Sequence, residues 1–285
     1  MRPLNQPIRQ QDWAGLRVWL IGASAGIGAA LAQKLSGLGA RLVLSARQAP
    51  PLHIVAQQCA SAKPLVLPLD VCDGAAIALA VSMIRKDLGG LDLVIFNAGT
   101  YDATRIDSLT ASGAEQALRV NLLAPIAVTS HVLPLLLAST NDDRPRGLAY
   151  VASVAGYRGL PRALTYGPGK AGLISFAESL WVDLQGLGLN TWIINPGFVR
   201  TRLTAGNDFT MPALIEPEAA ARAMIDGFTR GRFEIHFPRR FTCLMKLLRL
   251  LPVEWYLRLS KRLVPVMDRN TLMQKTTGTP DQHPD

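Results

Sequence analysis

The sequence predicts an α/β protein with one domain: a doubly wound parallel sheet covered by helices on both faces, followed by a basic amphipathic helical extension. Three observations carry this expectation. Short β-branched runs alternate with longer, Ala-rich amphipathic runs as far as residue 236. Several short runs, LVIF and WII among them, are apolar throughout, as strands buried on both faces must be. Glycine, small and polar residues gather directly after six successive strand candidates.

Taken in order, residues 17–21 form the first strand candidate, followed by Gly22-Ala23-Ser24-Ala25-Gly26-Ile27-Gly28 and a helical pattern over 26–38. Strand 41–45 ends at Ala46-Arg47, and helix 51–60 leads to strand 65–68 and Asp70. Helix 73–88 precedes strand 91–96, which runs into Asn97-Ala98-Gly99. A long helical pattern, 111–137, leads to strand 147–151 and Ser153. Helix 164–187 then leads to strand 189–194 and Asn195-Pro196-Gly197, and helix 217–230 to strand 233–236. Proline and glycine at 168 and 169 are tolerated only in a first helical turn, so the 164–187 helix is expected to begin near residues 165–166. In a parallel sheet every carboxyl strand end lies at one edge, where ligands bind in such sheets.

Composition narrows the class. With 285 residues, 49% apolar and 18% charged, the chain can bury a large core and lacks the signature of disorder. Cys59, Cys72 and Cys243 share no spacing motif, and His53, His131, His236 and His283 stand at no ligand spacing. No disulfide framework, zinc site or other metal centre is expected, nor a Ser-His-Asp triad. The N-terminus carries no signal-peptide pattern, and no uninterrupted apolar stretch of about 18 residues suggests a membrane span. A cytoplasmic location is the expectation. The net charge of +9 is uneven: residues 230–269 hold ten Lys/Arg against three acids. The chain thus divides into a main domain over 1–238, a basic helical extension over 239–269 and a disordered tail over 270–285.

Gly22, Gly26 and Gly28 follow a strand and open a helix. Glycine lets the backbone turn tightly against a pyrophosphate, which the helix N-terminus then attracts. The spacing is G-x-x-x-G-x-G. Four further motifs stand in register behind it: Phe96-Asn97-Ala98-Gly99; Asn121 within VNLLAP; Ser153 thirteen residues before Tyr166-Gly-Pro-Gly-Lys170; and NPGFVRT after the sixth strand candidate. Over roughly residues 15–235 this series resembles the compact, single-domain branch of the short-chain dehydrogenase/reductase family, whose fold is a Rossmann-type sheet. Phe96 departs from the asparagine usual in that family, and Asn97 is retained.

Arg47 ends the second strand candidate where a carboxylate would select NAD, and it offers a charge-assisted partner to a 2′-phosphate. NADP(H) is therefore expected in preference to NAD(H), with Ser45 adding a hydroxyl. The resemblance implies that Gly22, Ser24, Gly26, Ile27 and Gly28 cradle the dinucleotide. Asp70 would touch adenine, and the Asn97-Ala98-Gly99 backbone would line the ribose. Pro196, Gly197 and Thr201 would sit beside the nicotinamide.

Tyr166 and Lys170, four residues apart, share one helical face. A nearby ammonium favours the phenolate, so Lys170 is expected to lower the phenol's pKa of about 10. The resemblance implies that Tyr166 exchanges the proton and that Lys170 also binds the nicotinamide ribose. Ser153 would hold the substrate oxygen, and Asn121 would hold a relay water.

The segment after Gly197 is a flap in the resembling family. Phe198, Leu203, Phe209, Met211 and Leu214 make it apolar, and Tyr157, Leu160 and Leu164 are expected to form the facing wall. A hydrophobic carbonyl or alcohol is the implied substrate, and a homodimer or homotetramer the implied assembly. In the extension, Leu244, Leu247, Leu248 and Leu251 fall on one stripe. That stripe packs on the core or a partner subunit, or lies peripherally on an anionic membrane, such as the inner face of one. Nucleic-acid binding is not expected, because no recognition motif accompanies the charge. A non-enzymatic NADP(H) sensor and a membrane-surface protein remain alternatives on the same fold.

Overall fold

A computed structural model describes residues 4–60, 63–138, 144–207 and 210–263. Phe209, residues 264–269 of the extension and the tail with His283 lie outside the described residues. Seven parallel strands form one sheet in the order β3-β2-β1-β4-β5-β6-β7. They are β1 (Arg17–Ile21), β2 (Arg41–Ser45), β3 (Leu65–Val66), β4 (Leu93–Phe96), β5 (Gly147–Val151), β6 (Asn190–Pro196) and β7 (Glu234–Phe237). The order reverses beside β1, opening the crevice in which a doubly wound sheet receives its ligand.

The helices are α1 (Gly26–Gly37), α2 (Ala49–Gln57), α3 (Gly74–Leu88), α4 (Ala111–Leu118), α5 (Ala124–Leu137), α6 (Tyr166–Leu184), α7 (Pro217–Thr229), α8 (Arg239–Arg249) and α9 (Val253–Lys261). The sheet separates two apolar layers. On one face, α1, α2 and α7 enclose Trp13, Trp192 and Phe228, whose rings meet edge to face. On the other, α3, α5 and α6 cover Trp19, Phe96 and Tyr150. Away from the site, Asp92 accepts from both Arg17 Nε (2.9 Å) and Arg17 Nη2 (2.5 Å), tying the amino ends of β1 and β4.

The long helical pattern is one run interrupted by a π-turn over Arg119–Leu123. Among the described residues, Ala111–Leu137 is the one helical run long and apolar enough to cross a bilayer, where the sequence suggested none. It packs against α3, α6 and the sheet, and buries Val128, Val132, Leu135 and Leu136 in the core. Its apolarity therefore serves the fold. α6 starts at Tyr166, in line with the reading of Pro168 and Gly169 as first-turn residues.

The extension is helical, broken at Pro252, but its stripe divides. Leu248 packs on the body beside Met245 and Phe241, whereas Leu244 and Leu247 point outward. The helix is pinned instead through Lys246, which pairs with Glu234 at 2.5 Å. Phe241, Met245 and Leu248 thus form its inner face, which apolar spacing alone did not pick out.

Candidate active site

The turn after β1 is shaped by what glycine omits. Gly22 has φ 87°, and a Cβ there would lie 2.5 Å from Ala98 N. A Cβ on Gly28 would lie 2.1 Å from Gly22 O, and one on Gly26 2.8 Å from Thr201 Cγ2. Asn97 Nδ2 donates to Gly22 O at 2.8 Å, fixing the β4 end against this turn. Ala25, the N-cap of α1, brings no side-chain cap, so the leading N–H groups face the crevice without a protein oxygen from that residue. Glycine lets the turn pack this tightly, and the uncapped helix N-terminus it leads to suits a dinucleotide pyrophosphate. Ser24, Ile27, Asn97, Ala98, Gly99 and Thr201 all lie on or beside it, Ile27 with its side chain packed on the core.

Two further expected cofactor residues stand exposed at strand ends. Arg47 lies beyond β2, close enough to Cys72 to act on its thiol. Asp70 accepts from Cys72 N at 2.9 Å in a local turn. Ser45 corrects the sequence reading: it is fully buried and its Oγ accepts from Trp19 Nε1 at 2.9 Å. Strand alternation turns this hydroxyl into the layer with Trp19, away from Arg47, and only its carbonyl reaches the glycine turn, accepting from Gly22 N at 2.7 Å. Gly197 donates to Phe237 O at 2.7 Å, and a Cβ on it would meet the Phe241 ring at 2.8 Å. The end of β6 is thereby closed by α8.

Asn121, Ser153, Tyr166 and Lys170 converge at the carboxyl ends of β4 and β5. Ser153 caps the 3₁₀ turn over Val154–Gly156, accepting from Ala155 N at 3.1 Å, and its hydroxyl lies close enough to the Tyr166 phenol to oppose the rise in its pKa. Lys170 is 3% exposed, and its Nζ donates to Val151 O at 2.9 Å. That ammonium lies 5.6 Å from the Tyr166 ring centre. Asn121 is fully buried. Its Nδ2 donates to Thr100 O (2.8 Å) and to Ala117 O (3.0 Å), the carbonyl one turn back, while Thr100 N donates to Oδ1 at 3.3 Å. The π-turn thus leaves this asparagine bracing the β4 loop; such turns recur at functional sites. A Cβ on Gly99 would lie 3.0 Å from Asn121 Oδ1 and 3.4 Å from Lys170 Nζ, so the loop, the amide and the ammonium meet at this glycine.

The electrostatics differ from the expectation. Burial pushes the Tyr166 phenol up to about 12, with the Ser153 hydrogen bond opposing and Tyr101 adding to the rise. Burial also pulls Lys170 down to about 7. Lys170 is not among the causes of the phenol's shift, and desolvation disfavours its own charge. The phenol holds its proton, and the lysine titrates near neutrality.

Two contributors escaped the sequence reading. The Tyr101 ring meets Tyr166 edge to face, centres 5.0 Å apart, and an aromatic two residues past Gly99 was the only available signal. Glu234 was missed as well, and Asn195 was read only as part of the turn after the sixth strand. The Tyr157 hydroxyl donates to Glu234 Oε1, which also accepts from Asn195 Nδ2 at 2.9 Å. Burial alone would raise the Glu234 carboxyl, but hydrogen bonds from Lys246, Tyr157 and Asn195 outweigh it and hold it below the ordinary range. Burial, and the carboxylate beside it, push the Tyr157 phenol up. Of the expected wall, Tyr157 is buried and tied, Leu160 packs on the core, and Leu164 is exposed. In the flap, Val199 pairs with Ile215 in a short bridge and Leu203 stays partly exposed.

A family model described as short chain dehydrogenase matches residues 17–210. An uncharacterised oxidoreductase of Myxococcus xanthus is 36% identical over 234 residues, covering 81% of this chain and 90% of that protein. An uncharacterised oxidoreductase of Staphylococcus epidermidis is 30% identical over 209 residues, or 73% and 89% of the two chains. Among solved structures, the Pseudomonas aeruginosa RhlG/NADP active-site complex is similar with a TM-score of 0.72 and 26% identity, covering 80% of this chain and 97% of that one.

Proposed function

The chain belongs to the short-chain dehydrogenase family of oxidoreductases, and from that premise we propose that it interconverts a hydrophobic carbonyl compound and its alcohol with NADP(H), using Tyr166 as the proton-exchanging group. The observation that carries the reading is the convergence of Ser153, Tyr166, Lys170 and Asn121 beside the glycine cradle.

When bound, the nicotinamide supplies or takes the hydride. The protein's part is to place a proton. Tyr166 Oη, protonated at neutral pH, donates to the developing alkoxide in reduction and accepts the proton in oxidation. Ser153 Oγ, beside that phenol, holds the substrate oxygen and stabilises its charge. Lys170 titrates near neutrality, so its proton is the one most readily passed on toward Tyr166. Asn121 orders the loop at Gly99 and, in this reading, a water linking Lys170 to solvent.

The choice of NADP(H) rests on exposed Arg47, on the lack of a carboxylate in Leu44-Ser45-Ala46-Arg47, and on the NADP complex among similar structures. Exposed Leu123 and Ile126 near the π-turn, with Val182 on α6, favour assembly through these helices. An NADPH-oxidation assay across ketones and aldehydes tests the enzyme reading. Saturable turnover is expected, whereas tight cofactor binding with no turnover across the panel would favour the sensor. Arg47→Ala is expected to weaken NADPH about tenfold while leaving NADH nearly unchanged. Equal losses for both would remove the argument from the 2′-phosphate.

A further inference from the structure

Helix α8 presents to solvent what a helix on a globular body normally hides. Phe241, Thr242, Met245 and Leu248 face the body, while Leu244, Leu247 and Leu250 face outward, the last 80% exposed. In α9 only Tyr256 is buried; Val253, Trp255, Leu257 and Leu259 are exposed, Trp255 by 64%. Cations stand among these side chains: Arg239, Arg240, Arg249, Arg258, Lys261 and Arg262 are all exposed, and Glu254 is the one acid in residues 239–263.

We propose that α8 and α9 form a docking surface for an anionic lipid bilayer. Apolar side chains interleaved with Lys and Arg match an interface in which acyl chains lie beneath phosphate headgroups. Trp255 carries the side chain best suited to that boundary. A second copy of the chain matches the apolar groups but brings the same cations face to face, which an isologous contact cannot relieve.

The surface is held rigid before any bilayer arrives. Arg158 Nη1 donates to the carbonyls of Leu248 (3.0 Å), Arg249 (3.0 Å) and Leu251 (2.8 Å), closing the C-terminus of α8. Its guanidinium lies 4.3 Å from the Tyr256 ring centre, and the Tyr256 hydroxyl donates to Gly159 O at 2.6 Å. Lys246 completes the attachment through Glu234. The loop after Ser153 is therefore fastened to the docking helices, and a bound membrane takes a fixed position relative to that loop.

Flotation of the full chain tests this without any measurement of turnover, so it stands or falls apart from the redox reading. Phosphatidylcholine vesicles are compared with vesicles of phosphatidylcholine mixed with phosphatidylglycerol. At low salt, binding to the anionic vesicles is expected to be at least about tenfold stronger and to fall as salt rises. Trp emission should shift to the blue on binding, and the shift should vanish in Trp255→Phe. Leu247→Ser with Trp255→Ser should abolish flotation at an unchanged thermal midpoint, and Arg258→Gln with Lys261→Gln should weaken it about tenfold. Protein that stays unbound to anionic vesicles at low salt, or that binds neutral vesicles equally well, overturns the proposal. So does a dimer that the Leu247→Ser, Trp255→Ser pair turns into monomer.

Discussion

The first turn of α6 and the helix pair α8–α9 both carry cations, and they treat them in opposite ways. Lys170 is sealed in protein, its charge opposed by burial until it titrates near 7. The arginines and lysines of α8–α9 stand in water, apart from Lys246, which is half-withdrawn against Glu234. A buried cation becomes a group that can give up a proton; an exposed one remains a steady source of field. The same chain thus holds one basic group out of water and sets the others in it.

Four measurements bear on this contrast. Removing the buried phenol should have the largest effect: Tyr166→Phe is expected to lower turnover about a thousandfold with cofactor affinity unchanged. A loss of only a few-fold would mean that the buried group is not the site of proton exchange.

Lys170→Met examines the buried cation through stability. The folded-state pKa of Lys170 is depressed from 10.5 to about 7, so between those values the unfolded chain binds more protons. Stability from this residue must then rise with pH across that window, by up to about 1.4 kcal/mol per unit, with the full penalty of the buried charge below it. Denaturant unfolding at several pH values, without added cofactor, should show the slope in the native protein and its loss in Lys170→Met. An unchanged slope would assign it to other groups.

Gly28→Ala adds a methyl 2.1 Å from Gly22 O, in a place where backbone must move. It is expected to destabilise the fold by about 2–3 kcal/mol and to weaken the dinucleotide in a thermal-shift titration. Full cofactor affinity would show that the cradle is looser than its packing.

Lys246→Met should have the smallest effect, about 1 kcal/mol at neutral pH, because the pair with Glu234 is partly exposed. Glu234 is held below the ordinary carboxylate range, so its contribution is present above about pH 4.5 and disappears as pH falls through the folded-state value. The difference between native and variant should vanish in acid. A difference that persists there would point to lost packing of the lysine stem.

The contrast extends to how far each region was legible. The glycine turn, Asn97, Asn121, Ser153, Tyr166 and Lys170 stood out because each task demands a particular residue at a particular strand end, and strand ends follow from hydrophobic period. The Pro168-Gly169 pair even marked where α6 begins. In the extension, apolar spacing marked a helix but misjudged its rotation, since Leu244 and Leu247 turn outward while Met245 and Leu248 turn in. Both choices satisfy the same periodicity; in the structure Phe241, Met245 and Leu248 take the inner face and Lys246 reaches Glu234 beside them.

From the order of residues alone came the parallel sheet, the family it belongs to and the candidate side chains at its carboxyl edge, because local period and residue chemistry are written in the chain. Folding in three dimensions settled the rest. It placed Ser45 behind the sheet with Trp19, set Tyr101 against Tyr166, and drew Glu234, Tyr157 and Asn195 into one cluster. It also set the charge state of Lys170. Such properties depend on how deeply a group is buried and on partners far away in sequence, and no short-range pattern records either.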